Sequence, residues 1–268
     1  MGRAGGVRSG PILEAVGLVK RFGGVSALEG YDLALEADDL LGLIGPNGAG
    51  KTTAFNLLSG VLPPTAGTIL IDGQDVTRVP THRRARLGIA RTFQNVRLFE
   101  DLSVLENVMA GAHHRLGAGL GSALLGLPDA SRREDRIADE ARAALDAVGL
   151  AETAAERAGD LPYGRQRMVE IARALATAPR ILLLDEPAAG MNPHETDALV
   201  DIIRRLHADR QLAIVVVEHD MRLVARLCHR VQAINKGELL AAGRPDEVLH
   251  DPAVVEAYLG SGWTAADA

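Results

Sequence analysis

Residues 40–52 read LLGLIGPNGAGKT, an apolar run that passes into a glycine-rich loop. The run 40–44 has the length and composition of a buried strand, and residues 50–59 have the spacing of a short helix that Gly60 would end. The loop between them fits the pattern glycine, any four residues, glycine, lysine, then serine or threonine. This order of strand, loop and helix predicts a phosphate-binding loop.

The residue types in this loop suit a nucleoside triphosphate. Glycines let successive backbone N–H groups curl around phosphate oxygens, and the N-terminus of the following helix adds partial positive charge. Lys51 is expected to reach the β and γ phosphates, and Thr52 offers a hydroxyl to magnesium. The alternative, a tight turn in a glycine-rich chain, does not account for the whole pattern between a strand and a helix. The predicted phosphate contacts are Gly45, Pro46, Asn47, Gly48, Ala49, Gly50, Lys51, Thr52 and Thr53.

Composition narrows the remaining classes of protein. The 268 residues allow one large domain or a core with one subdomain. A net charge of -6 argues against a protein that binds nucleic acid or anionic lipid through basic charge. The single cysteine, Cys228, cannot form an internal disulfide, which favours a reducing compartment. The longest weakly polar run, residues 116–127, is shorter than the ~20 residues that a membrane-spanning helix needs. A cytosolic protein is expected.

Strand and helix signals alternate along the rest of the chain. Apolar runs predict parallel strands at 181–184 and 212–217, whereas 25–35 and 68–71 are expected in an antiparallel accessory sheet. Helical spacing at 168–175 and 199–206, a periodic stretch over 224–231, a hairpin at 236–237 and a closing helix at 252–259 complete the pattern. About sixty residues of helix interrupt it, with capping-box pairs at Ser103/Glu106 and Ser131/Glu134 and a stop at Gly149. The fold class is α/β.

Two adjacent carboxylates follow the apolar strand in residues 182–187, LLLDEP. Such a pair is most often a solvated loop or a helix cap, but beside a phosphate loop it has a chemical use. Asp185 can hold magnesium directly or through water, and Glu186 can polarise an attacking water. Clusters at 113–115 and 132–136 lack metal-ligand spacing or interleaved aromatics and are interpreted as solvated helix faces.

From about residue 11 to 260 the chain resembles the ATP-binding subunit of an ABC transporter. Phe22 in KRFGG resembles the aromatic that stacks on adenine, although a core or surface phenylalanine is the alternative. Gln94 in RTFQN resembles the Q-loop glutamine that contacts magnesium and water and senses the transmembrane partner. His219 in VEHD resembles the switch histidine that contacts the γ-phosphate. The resemblance implies a catalytic set of Glu186, His219, Gln94 and Lys51, and a magnesium set of Thr52, Gln94 and Asp185.

The family signature, which closes on ATP held by the opposite subunit, corresponds to Pro162, Tyr163, Gly164, Arg165 and Gln166. Proline stands where the family has serine, so contact with the γ-phosphate must come from Gly164, its neighbours and the helix N-terminus. Met191-Asn192-Pro193 resembles the D-loop, with asparagine in place of aspartate.

Further stretches resemble the larger ATPase subunit of branched-chain amino acid importers, including EPAAGMNP at 186–193 and AYLG at 257–260. The resemblance implies ATP and Mg²⁺ as ligands, two permeases, a substrate-binding protein acting indirectly, and a second ATPase subunit or a second copy of this chain. Nucleic acid is not an expected partner. A peripheral position on the cytoplasmic face of the cell membrane is implied. Alternatives are another solute such as urea or short amides, lipopolysaccharide export, or a soluble ABC switch protein outside transport.

The implied fold is a phosphate-loop ABC ATPase core, with a RecA-like parallel sheet, an antiparallel β subdomain and an inserted α-helical subdomain. The expected boundaries are a leader at 1–10, the first part of the core at 11–100, the helical subdomain with the signature at 101–165, the second part of the core at 166–260, and a tail at 261–268.

Overall fold

The computed structural model describes residues 10–116 and 128–259. The strands are β1 Leu13–Phe22, β2 Val25–Leu35, β3 Leu40–Ile44, β4 Ala66–Ile71, β5 Gln74–Asp75, β6 Ile89–Arg91, β7 Ile181–Asp185, β8 Ala213–Val217, β9 Arg230–Asn235 and β10 Glu238–Gly243. The α-helices are α1 Lys51–Leu58, α2 Thr81–Arg86, α3 Val104–Leu116, α4 Pro128–Ala147, α5 Tyr163–Leu175, α6 Pro193–Arg210, α7 Met221–Leu227, α8 Pro245–Leu249 and α9 Pro252–Leu259.

The larger sheet has the strand order β10-β9-β3-β8-β7-β6. Strands β9, β3, β8, β7 and β6 are parallel, and β10 returns antiparallel to β9 through the predicted hairpin. Every residue of β3, β7 and β8 is buried, because both faces of this sheet are covered. The carboxyl ends of the parallel strands meet at one edge, so the loops after β3, β7 and β8 lie together there.

The smaller sheet is antiparallel, with the order β2-β1-β4-β5. Its side chains share one hydrophobic cluster with α1 and one face of the larger sheet, including the fully buried Tyr31 and Phe55. The predicted accessory sheet is therefore confirmed, and it covers the face of the larger sheet on which α1 lies.

A second cluster covers the opposite face and brings together residues of α3, α4, α5 and α6. The predicted capping box at the start of α3 is confirmed, since the Ser103 hydroxyl accepts from the Glu106 amide at 3.2 Å and the Glu106 carboxylate accepts from the Ser103 amide at 2.7 Å.

Two local predictions are wrong. The pair Ser131/Glu134 does not open α4, which begins three residues earlier at Pro128. Ser131 therefore lies inside the helix rather than at its N-cap. The periodic stretch over 224–231 is not one helix, because α7 ends at Leu227 and Cys228 is extended, which places Val231 in β9.

Within residues 10–116 and 128–259, no helix combines the length and the apolar character needed to cross a bilayer. The expected leader apart from Gly10, the weakly polar run from 117 onward and the expected tail lie outside the described residues.

Candidate functional site

The loop between β3 and α1 needs glycine at two positions because other backbone approaches it closely. Gly45 has φ +154°, and a Cβ there would lie 2.2 Å from the carbonyl oxygen of Ile234. Gly50 has φ +109°, and its Cβ would lie 2.5 Å from the carbonyl oxygen of Ala27. The loop is thus fitted against β9 and β2, and its backbone is preformed rather than left to the ligand.

Lys51 lies at the first position of α1 and folds back over this loop. Its ammonium group donates to the carbonyl oxygens of Gly45 at 2.6 Å and Pro46 at 3.0 Å. Burial lowers the pKa of Lys51, and the charges of Glu186 and Asp185 oppose that shift. The cation therefore lies over the phosphate loop, within range of the charges of both carboxylates.

The two carboxylates at the end of β7 have different surroundings. Asp185 is buried, with a side-chain exposure of 4%, and its Oδ2 is 2.8 Å from a guanidinium nitrogen of Arg91. Glu186 is partly exposed and has φ +46°, a left-handed conformation that costs a non-glycine residue about 1–2 kcal/mol. Its amide donates to the Val217 carbonyl at 2.9 Å, which holds that conformation against β8. Its carboxylate accepts from the Gln94 amide nitrogen at 3.0 Å.

One buried arginine holds the backbone at both Gln94 and Glu186, the two residues expected to contact water. Arg167, on α5, is completely buried and donates to the carbonyl oxygens of Phe93, Gln94 at 2.6 Å and Glu186 at 3.2 Å. Its remaining partner is the carboxylate of Glu170, also buried, at 2.9 Å. The loop of Gln94 and the loop of Glu186 are therefore tied to the same helix.

The loop after β8 brings a further buried acid and an exposed histidine to this edge. Glu218 accepts from the Ala188 amide at 3.0 Å and the His219 amide at 3.2 Å, and burial raises its pKa. The His219 ring is 60% exposed, with Nδ1 3.8 Å from the Glu218 carboxylate. His219 therefore points toward solvent while Glu218 braces the loop that follows β7.

The signature residues lie at the start of α5. Pro162 is the N-cap of α5 and has no side-chain hydroxyl to offer, but its carbonyl accepts from the Arg165 and Gln166 amides. The Tyr163 ring packs on Gly190, where an added Cβ would lie 3.1 Å from it. The segment around Asn192 therefore contacts the signature of its own chain, and Asn192 caps α6 in a reciprocal box with Glu195.

Phe22 ends β1 and keeps 48% of its surface exposed. The Lys20 ammonium lies 5.1 Å from the centre of its ring, a cation–π distance. The exposed part of this ring is available for stacking.

Residues 28–189, more than half of the chain, match the family model described as ABC transporter. The chain belongs to the ABC transporter family. Residues 238–264 match a second model, described as Branched-chain amino acid ATP-binding cassette transporter.

Curated relatives and solved structures agree with this assignment. BraF of Pseudomonas aeruginosa, a high-affinity branched-chain amino acid transport ATP-binding protein, is 45% identical over 94% of this chain and 99% of its own. LivG of Escherichia coli K12, described in the same words, has the same identity and coverage. The lipopolysaccharide export ATP-binding protein LptB of Escherichia coli K12 is 37% identical over 92% of this chain and 97% of its own. The ADP conformation of MJ1267, an ATP-binding cassette of an ABC transporter, superposes with a TM-score of 0.81 at 30% identity, covering 93% of this chain and 98% of that one.

Membership of the family confirms the predicted cassette fold, nucleotide binding and ATP hydrolysis. The relatives are named as ATP-binding proteins of transporters, which implies membrane permeases as partners.

This cassette has an open cavity of about 440 Å³ between the core and the helical layer. Its wall is mostly apolar and includes Ala90, Phe93, Gly111 and Ala174. Phe99, which also lines the cavity, is 57% exposed. Phe93, which lines the cavity, directly precedes Gln94, so the cavity lies next to the segment that carries Gln94.

Two contacts of the cassette cannot be predicted from the sequence. Arg91 belongs to the Gln94 motif, and its pairing with Asp185 has no local signal. Tyr258 belongs to the stretch AYLG, and its hydroxyl accepts from the Gly45 amide at 2.6 Å. Both pairs are far apart in sequence, and only the arrangement of the strands brings them together.

Proposed function

We propose that this cassette drives an importer for branched-chain or other hydrophobic amino acids. The observation that carries the proposal is the match of residues 238–264 to the model of that transporter class. The identities support it, since the branched-chain relatives reach 45% whereas the lipopolysaccharide exporter subunit reaches 37%. Urea, short amides and lipopolysaccharide export are the competing cargoes, and a soluble switch protein is the competing class.

In the proposed nucleotide complex, adenine stacks on the exposed face of Phe22. The phosphates lie in residues 45–53, where backbone N–H groups and the N-terminus of α1 face them. Lys51 exchanges its contacts with the Gly45 and Pro46 carbonyls for the β and γ phosphates. Two cassettes then close so that Tyr163, Gly164, Arg165 and Gln166 of each face the nucleotide of the other.

The residues present suit a magnesium ion, because the ion prefers oxygen ligands and binds through one or two carboxylates plus substrate phosphates. Thr52 supplies a hydroxyl, Asp185 a buried carboxylate and Gln94 an amide oxygen. When bound, the ion neutralises charge that develops on the transferred phosphoryl group. Asp185 is held in place by Arg91, and Thr52 by its position in the first turn of α1.

Hydrolysis in this proposal depends on positioning and electrostatics rather than on covalent chemistry. Glu186 orients the attacking water, Gln94 moves from the Glu186 carboxylate toward the nucleotide, and the exposed His219 turns to the γ-phosphate. Glu186→Gln is expected to bind ATP normally but hydrolyse it at least ~100-fold more slowly, a typical loss for a positioned acid–base group. The exposed β10 variant Glu238→Gln is the matched control. Wild-type turnover in Glu186→Gln would refute the role of Glu186.

Pro162 leads to the proposal that the closed dimer is asymmetric, with a second, different ATPase subunit. The site that faces this signature lacks the serine hydroxyl and depends on backbone N–H groups at the start of α5. Pro162→Ser in the assembled transporter is expected to raise turnover at that site. An unchanged rate would contradict the proposed asymmetry.

The cavity beside Phe99 is the proposed docking site of the permeases. A position on the cytoplasmic face of the membrane is part of the same proposal. An N-terminally tagged Glu186→Gln chain, purified from its native membranes with ATP and magnesium, should carry two permeases and a sister ATPase that mass spectrometry can identify. Uptake of labelled leucine, urea and acetamide by the same transporter then separates the cargo classes. Recovery of soluble partners alone would favour the switch class.

A further inference from the structure

Arg91 ends β6, the edge strand of the larger sheet, beside the strand that carries the two carboxylates. In the parallel register Arg91 pairs with Leu183, two residues before Asp185. Its Nη2 lies 2.8 Å from Asp185 Oδ2, and the two side chains are only 8% and 4% exposed. A hydrogen-bonded ion pair of this kind is charge-assisted and fixes the orientation of the carboxylate.

The guanidinium of Arg91 is itself fixed from several sides. Its Nη1 donates to Asn56 Oδ1 at 2.7 Å and to Ser59 Oγ at 3.1 Å, both at the end of α1. The rings of Phe55 and Phe93 lie 5.6 Å and 5.4 Å from it. Its Nε is buried without a hydrogen-bond partner, which is a cost that the other contacts offset. A side chain held this firmly can hold Asp185 in turn.

The engaged oxygen of Asp185 determines what the other oxygen can do. The bond from Oδ2 to Arg91 restricts rotation of the Asp185 carboxylate, and the Asp185 amide, which donates to the Thr92 hydroxyl at 3.3 Å, fixes the backbone beneath it. With Oδ2 engaged by Arg91, Oδ1 is the oxygen left for a cation.

We propose that Arg91 is a positioning residue that presents the Asp185 carboxylate to the magnesium ion of the bound nucleotide. This inference rests on the proposed function, which assigns Asp185 to magnesium. Through Asn56 and Ser59 the same guanidinium joins Asp185 to α1, whose first turn carries Thr52. Arg91 thereby sets the spacing between the two proposed protein ligands on different elements.

The test measures how much magnesium strengthens nucleotide binding, rather than how fast ATP is hydrolysed. Calorimetry gives the affinity for a non-hydrolysable ATP analogue with EDTA and with Mg²⁺, and the ratio of the two is the magnesium enhancement. In Arg91→Met, affinity with EDTA should stay within about twofold of wild type. The magnesium enhancement should fall about tenfold or more, since the coupling free energy of a close buried charge pair corresponds to a change of that size. Arg91→Lys keeps the charge but cannot span Asn56, Ser59 and Asp185 together, so its enhancement should fall about threefold.

Arg230→Met is the matched control, because the Arg230–Asp39 pair is 2.7 Å long but lies at the amino edge of the sheet. Its magnesium enhancement should equal that of wild type. Asp185→Asn separates the two proposals: if it keeps the full enhancement, the magnesium assignment of Asp185 is wrong. If Asp185→Asn loses the enhancement while Arg91→Met and Arg91→Lys keep it, the positioning role of Arg91 is overturned. Should Arg91→Met fail to fold, the Arg91→Lys result decides alone.

Discussion

Removal of the buried arginine on α5 is expected to weaken both the fold and the catalytic edge. In Arg167→Met the carboxylate of Glu170, which is 2% exposed, loses its partner at 2.9 Å. Breaking a buried pair by removing one member costs about 3–5 kcal/mol. Arg173 stays 3.7 Å from the same carboxylate and offsets part of this cost, so about 3 kcal/mol is expected from the pair.

The carbonyl oxygens add to that loss. Those of Phe93 and Gln94 lose the donor that Arg167 provides, whereas Glu186 still accepts from the Ala189 amide at 3.1 Å. At about 1 kcal/mol for each lost hydrogen bond, the carbonyls contribute about 2 kcal/mol. The total for Arg167→Met is therefore about 5 kcal/mol in the free energy of unfolding, a large part of the stability of a domain.

A double-mutant cycle separates the two contributions. Arg167→Met/Glu170→Met removes both charges, so the loss of about 2 kcal/mol from the carbonyls should remain, together with the weaker contacts of Glu170 to the Phe93 amide at 3.4 Å and to Arg173 at 3.7 Å. Urea unfolding followed by circular dichroism measures all four proteins of the cycle. The double variant should be more stable than the single Arg167→Met by at least about 1 kcal/mol. A single variant that loses less than about 1 kcal/mol, or a double variant less stable than the single one, would refute the reasoning.

Three further outcomes are expected. Burial raises the pKa of Glu218, so the folded protein disfavours the charged carboxylate. Glu218→Gln should therefore gain stability relative to wild type as pH rises above about 4.5. Urea unfolding between about pH 5 and 8 checks this, and a difference in unfolding free energy that shrinks with rising pH would contradict it. Gly45→Ala should unfold at lower temperature and lose nucleotide binding, because its Cβ would lie 2.2 Å from the Ile234 carbonyl, whereas Gly48→Ala, with no atom near its Cβ, should lose only about 1–2 kcal/mol from its positive φ. Asn192→Ala removes the N-cap of α6 and should cost about 1 kcal/mol, seen as a lower urea midpoint.

The sequence predicts the local features of this cassette well because each has a short-range physical cause. The strand at 40–44, the glycine loop and α1 follow one another without interruption, and the carboxylates come directly after the apolar run of β7. The hairpin of β9 and β10 is marked by its turn at Lys236 and Gly237. In each case the signal and the structure lie within about ten residues.

Contacts between distant residues have no such signal. Arg91 and Asp185 meet because β6 and β7 are neighbours, and an arginine at a strand end has several equivalent interpretations in the sequence. The pair Ser131/Glu134 does not mark the start of α4, because a serine with a glutamate three residues later also occurs inside helices. Periodicity indicates which face of an element is buried, but not which side chain it meets.

The hydrogen bond from the Gly45 amide to the Tyr258 hydroxyl makes the order of synthesis relevant to the phosphate loop, because it can form only after α9 has been made. Gly45 is synthesised 213 residues before Tyr258, and the bond between them connects the start of the phosphate loop to α9. Because the chain leaves the ribosome from its N-terminal side, β3 and α1 emerge before α9 does. The phosphate loop lacks this support until α9 has emerged. Nucleotide should therefore protect released chains that include α9 from proteolysis better than it protects stalled nascent chains arrested before α9.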